Sequence, residues 1–236
     1  ESRPAPATTV APTGPLWHGG AVRRTPFLLR RLHALTGVVP LSLFFVEHVW
    51  TNAAALGGRA HFDAAVGEIQ ALPGLWALEI FGIFIPLAFH AVYGIFIARN
   101  AKTNVDKYPY GRNWAYYLQR ASGVVILLFL LVHLWELRVQ KAIGGLDDGD
   151  FYDLLAASFG RLTFGVPVRA IAYLIGLAAT AFHFSNGLVG ATQSFGLVVT
   201  RPAQRRVAWA AGALGTMLFL VGSATVLHLA TGLFRV

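Results

Sequence analysis

The sequence predicts an all-α integral membrane protein: a bundle of five transmembrane helices with the N-terminus inside and the C-terminus outside. Three observations predict it. Only 13% of the 236 residues are charged and the mean hydropathy is +0.57, whereas about a quarter of an ordinary soluble domain is charged. The apolar residues gather into five stretches, each long enough to cross roughly 30 Å of hydrocarbon with about 20 helical residues. The basic residues fall between those stretches mainly on one side, the asymmetry that orients membrane helices.

The first residues, rich in Pro, Ala, Thr and Gly, lack the apolar core of a signal peptide and read as a disordered cytoplasmic tail, 1–27. The chain begins at Glu1 rather than Met, consistent with a missing or processed start. The membrane domain is then 28–236, with spans at 32–56, 75–98, 115–139, 166–192 and 207–229. A polar, amphipathic loop, 57–73, joins the first two spans. Residues 141–165, with the acidic run Asp147, Asp148, Asp150 and Asp153, join the third and fourth. Arg23, Arg24, Arg30 and Arg31 precede the first span; Arg99, Lys102, Lys107 and Arg112 follow the second; Arg201, Arg205 and Arg206 follow the fourth. These ends face the cytoplasm. The formal charge of +8 therefore has a topogenic origin and does not point to nucleic acid. Cysteine is absent, which excludes disulfides, covalently attached c-type haem and thiolate-held iron–sulfur clusters within this chain.

Each of the first four spans carries one deep histidine: His48, His90, His133 and His183. An ionisable group inside a membrane span is costly and marks function by default. At about 1.5 Å per residue, His48 and His133 each lie roughly 25 Å from the inner face. His90 and His183, on spans running the other way, lie roughly 23 Å from the outer face. The four fall into two layers, and neutral imidazoles on facing helices are the axial ligands expected of low-spin haem in a helix bundle. Two b haems follow, the outer held by His48/His133 and the inner by His90/His183. Gly176, Gly187 and Gly190 share the face of His183, and Gly94 lies one turn beyond His90; missing side chains there suit a flat macrocycle, or simple close helix packing. His18 and His61 read as loop residues, and His228 has no histidine at its depth.

Taken together, "RRLHALTGV", "FFVEHVWTN", "LPGLWALEIFGIFIPLAFHAVYGI", "YGRNWAYYLQRASGV", "LVHLWELR" and "FHFSNGL" resemble the single-chain, five-helix, di-haem cytochrome b anchor of succinate:quinone oxidoreductases. The resemblance runs from about Arg30 to Arg206 in consistent order. It implies a flavoprotein partner bearing FAD and an iron–sulfur partner, both on the cytoplasmic face of a bacterial inner membrane. It implies the same histidine pairing as the depths do, with electrons passing from the iron–sulfur subunit through the inner and outer haems to menaquinone near the outer one. Fumarate reductases that return protons across the membrane resemble the chain too, but carry Glu two residues before the fourth-span ligand, where Ala181 stands here. Other readings are a di-haem subunit of a different respiratory oxidoreductase, a fumarate reductase run in reverse, a histidine-lined proton channel or a structural anchor.

Further site residues follow from position. Gly37 and Ser122 lie 11 residues before His48 and His133, almost three helical turns lower, and so near the inner haem. Arg31, His33, Tyr116 and Arg120 lie near that level. The arginines are candidates for propionate contacts, although Arg120 also suits a snorkelling topogenic charge and His33 an interfacial water. Glu79 lies 11 residues before His90, by the outer boundary, and is the candidate for passing protons to quinone; its other reading is that it pairs with a neighbouring helix or accepts a backbone bond. Glu68 and Glu136 are the alternatives.

Overall fold

The computed structural model describes residues 24–147 and 149–232. Most of the expected tail, with Arg23, His18 and also Asp148, lies outside them, and residues 24–27 are already helical. Among the described residues five long apolar helices are present: α1, Phe27–Gly57; α3, Leu75–Arg99; α4, Gly111–Ala142; α6, Val168–Ser194; and α7, Arg201–Thr231. Two short helices join them, α2, Arg59–Gln70, and α5, Phe151–Gly160. The protein is therefore an all-helical, multi-pass membrane protein.

The two short helices correct the sequence reading, which left 57–73 and 141–165 as loops. Each has only one apolar edge. Phe62 and Val66 form it on α2, and Tyr152, Leu155 and Phe159 on α5. Spacings of three and four residues are the signature of a half-buried helix, but the flanking charges outweigh them in any window of membrane length. The long helices also run a turn or more past most of the apolar stretches, because backbone hydrogen bonding continues through the polar interface.

Three helices are widened by π turns, at Gly37–Leu41 in α1, Leu78–Phe84 in α3 and Leu134–Val139 in α4. The first contains Pro40, which lacks an amide hydrogen and cannot complete the regular ladder. Ser42 donates its hydroxyl to the Gly37 carbonyl at 2.7 Å. α3 starts cleanly after Gly74, whose φ of 74° needs glycine. α7 starts at Thr200, whose side chain accepts from the Ala203 amide.

α7 packs along α6, α6 along α4, and α1 against α3 and α7, while α2 and α5 close one end. The closest approach uses glycine. A methyl group on Gly215 of α7 would meet Ser185 and the Ala181 carbonyl of α6, and one on Gly222 would meet Leu177. The dry core, Ala55, Phe62, Tyr152, Leu155, Phe159, Ala170, Val226 and Leu229, sits at the α2/α5 end. By contrast, none of the apolar window of α3 is buried in the chain, so lipid or a group seated between helices must cover it.

Candidate functional site: two facing histidine pairs

The bundle brings the four deep histidines together in two pairs. His48 of α1 and His133 of α4 have ring centroids 5.8 Å apart with ring planes at 88°. His90 of α3 and His183 of α6 have centroids 6.2 Å apart with planes at 78°. A metal held about 2 Å from one nitrogen of each ring would put the centroids roughly 6 Å apart, so both spacings fit axial ligation. Among the described residues no group of three or more metal-ligating side chains converges. Pairs of imidazoles suit a metal whose remaining ligands come from a macrocycle.

In His90, His133 and His183 the second nitrogen is engaged, which fixes which nitrogen is free to ligate. His90 Nδ1 lies 3.0 Å from the His33 carbonyl, and His183 Nδ1 lies 3.0 Å from the Gln119 carbonyl. Carbonyls only accept, so both Nδ1 atoms carry hydrogen and both Nε2 atoms have a free lone pair. His133 Nδ1 lies 3.2 Å from Tyr173 Oη. Around His183 a polar clamp crosses the bundle: Gln119 donates to the His183 carbonyl at 3.1 Å, and Asn186 donates to Gln119 Oε1 at 2.8 Å. Ser122, buried, places its hydroxyl 3.2 Å from His183 Nδ1.

Glycines make room at the rings. A methyl group on Gly37 would sit 2.6 Å from His90 Cε1, and one on Gly123 would sit 3.2 Å from His183 Cε1. Gly176 faces Phe129, which stacks on His133 with centroids 5.4 Å apart. Gly187 approaches the Gln119 amide, Gly94 approaches His33, and Gly190 meets open space. Gly94 therefore makes room for the His33 ring, which stacks on His90 at 4.0 Å and 14°.

The remaining candidates divide between the two ends. Near the His90/His183 pair, Arg31 donates to the Ser194 carbonyl at 3.4 Å. Arg120 lies over the Tyr116 ring at 3.3 Å and donates to the Tyr116 carbonyl at 2.6 Å. Arg120 Nε and His33 Nδ1 are buried without a hydrogen-bond partner, as expected of a site that holds a further acceptor. At the α2/α5 end Glu79 is paired with Arg138 at 2.6 Å, and Glu136 is paired with Arg169. Glu68 is exposed, on helix α2 rather than in a loop. A cavity of about 360 Å³ opens between α4, α5 and α6, with Glu136, Arg169 and Tyr173 among its lining residues. His61 is exposed and bonded to the Gly57 carbonyl, while His228 is buried and interacts within the bundle.

Sequence reasoning missed Gln119, Gly123, Phe129, Tyr173 and Asn186. The signal that singled out the histidines, a polar group inside a span, applies equally to Gln119, Asn186 and Tyr173.

An all-helical membrane bundle with two facing imidazole pairs belongs to the class of membrane cytochromes b. Comparison with known proteins agrees. Residues 111–222 match the family of succinate dehydrogenase/fumarate reductase transmembrane subunits. The succinate dehydrogenase cytochrome b558 subunit of Bacillus subtilis (strain 168) is 40% identical over 179 residues, covering 76% of this chain and 85% of the relative. No solved structure matches significantly. The chain belongs to the succinate dehydrogenase cytochrome b membrane-subunit family, and with that membership comes haem b.

Proposed function

We propose that the chain is the membrane anchor of a succinate:quinone oxidoreductase in a bacterial cytoplasmic membrane and holds two b haems. His48 and His133 would hold the outer haem, and His90 and His183 the inner one. A flavoprotein and an iron–sulfur protein would dock on the cytoplasmic face, and menaquinone would react near the outer haem. When bound, the two haems supply a one-electron relay between the iron–sulfur partner and the quinone. The observation that carries the reading is the pair of ring separations, 5.8 and 6.2 Å, with Nδ1 tied to a partner on His90, His133 and His183.

The chain's own residues orient the ligands, exclude water and position the reacting ends. Gln119, Asn186 and the His33 carbonyl hold the inner imidazoles. The buried, unpartnered Arg120 Nε and His33 Nδ1 supply donors to the inner propionates, with Arg31 at the same end. The α2/α5 end is the outer one, because Arg30, Arg31, Arg99, Arg112, Arg201, Arg205 and Arg206 cluster at the other. There the cavity is lined by Glu136 and not by Glu79, and both carboxylates are ion-paired, Glu136 with Arg169 and Glu79 with Arg138. At Ala181, where proton-returning fumarate reductases carry Glu, the side chain is 5% exposed and its carbonyl faces Gly215. A longer side chain has little room there, which argues against such a proton-returning path.

Purification of the complex from native membranes tests the reading. Two co-purifying subunits, one with flavin and one with iron–sulfur clusters, and two haems b per chain are the expected result. A single haem, or none, would contradict it.

A further inference from the structure

The tautomer of a ligating histidine decides where its neighbour's hydrogen points. With Nε2 of His133 turned to iron, Nδ1 carries the hydrogen, so the 3.2 Å contact with Tyr173 runs from imidazole N–H to phenol oxygen. Tyr173 accepts in that bond, and its own O–H is left to donate elsewhere. The hydroxyls that approach the inner ligands, Ser122 at 3.2 Å from His183 Nδ1 and Thr36 at 3.5 Å from His90 Nδ1, already donate to the Gln119 and His33 carbonyls. The Tyr173 ring is also held firmly, packed on Phe159 at 4.6 Å, Phe129 at 5.1 Å and His133 at 5.6 Å.

Tyr173 lines the cavity of about 360 Å³ between α4, α5 and α6, within the range of small-molecule sites. Trp135 offers a flat ring, Leu154 and Leu155 offer apolar wall, and the Arg169–Glu136 pair is also part of its lining. A quinone ring is flat and apolar, and its two carbonyl oxygens only accept hydrogen bonds. It therefore needs a donor from an otherwise greasy pocket.

We propose that Tyr173 donates its hydroxyl hydrogen to one carbonyl oxygen of the quinone ring bound in this cavity. One phenol thereby joins the outer haem ligand to the substrate. The proposal rests on the outer-end quinone reading above, and its test separates the two.

The purified holo-complex is titrated with a hydroxyquinoline N-oxide quinone mimic while the optical and EPR signals of the outer haem are followed. In the wild type the mimic perturbs the outer haem and not the inner. Tyr173→Phe shifts the midpoint of that titration to roughly three- to tenfold more mimic, the loss expected of one neutral hydrogen bond. Ser158→Phe fills the cavity without touching the His133–Tyr173 bond and weakens the mimic as well. A Tyr173→Phe titration identical to the wild type overturns the role of Tyr173 and leaves the outer-end reading standing. A wild-type outer haem that ignores the mimic overturns both. Loss of the outer haem from Tyr173→Phe, together with wild-type binding in Ser158→Phe, also overturns the proposal.

Discussion

At Gly37 a single methyl group would sit 2.6 Å from His90 Cε1, and at Gly176 it would sit 2.5 Å from Phe129 Cγ. Neither separation is tolerable for carbon, so something must shift, and what shifts differs between the two. Gly37→Ala displaces an inner ligand and should deplete the inner haem while sparing the outer one. Gly176→Ala drives Phe129 toward His133, on which it stacks, and should disturb the outer haem first. Pyridine-haemochrome content with a redox titration reads both, and loss of the same haem from both variants would contradict the assignment. Gln119→Leu removes the amide that grips the His183 carbonyl and Asn186 but keeps the backbone carbonyl that accepts from His183 Nδ1. The inner haem should stay bound with an altered midpoint potential, and the outer potential should stay put. The propionate role of Arg31 and Arg120 makes a parallel demand: if Arg31→Gln and Arg120→Gln both leave the inner potential unchanged, that role is lost.

Helix geometry explains what counting along the sequence could place. An 11-residue offset returns to nearly the same face of a straight α-helix, and Gly37 meets His90 even though a π turn lies within its offset from His48. Glu79, placed by such a count, reaches across to Arg138 of α4; Ser122, with no π turn between it and His133, lies against His183. The proposed quinone cavity is lined by Glu136 and not by Glu79, so the proposal gives proton delivery to the Glu136 side. Measured as the ratio of quinone reduction to dye-linked succinate oxidation, Glu136→Gln should fall further than Glu79→Gln, and the reverse order would return the role to Glu79. The α6–α7 contact depends on a different feature. Gly215→Val must push aside Ser185 and the Ala181 carbonyl, an overpacking cost of about 1–3 kcal/mol, visible as a lower thermal midpoint in detergent. An unchanged midpoint would mean that the helices separate there at no cost.

Across the whole molecule, the parts legible in the sequence were those set by solvent. Five spans and four deep histidines follow from hydropathy and from the cost of burying an imidazole, and the helices do bring His48 to His133 and His90 to His183. What depends on side chains meeting across helices was not legible. The Gln119–Asn186 clamp, the Tyr173 contact and the Arg138–Glu79 and Arg169–Glu136 pairs join residues at least 33 positions apart, and no local pattern announces such partners. The short helices α2 and α5 were hidden for a related reason: their apolar edges are complete only against the ends of α1, α6 and α7.

The central claim, two haems held one above the other by these particular pairs, is tested most directly by haem content and redox titration in four single variants, His48→Ala, His133→Ala, His90→Ala and His183→Ala. The account predicts that the first two lose one and the same haem and the last two lose the other. If His48→Ala and His90→Ala abolish the same single haem, the pairing is wrong.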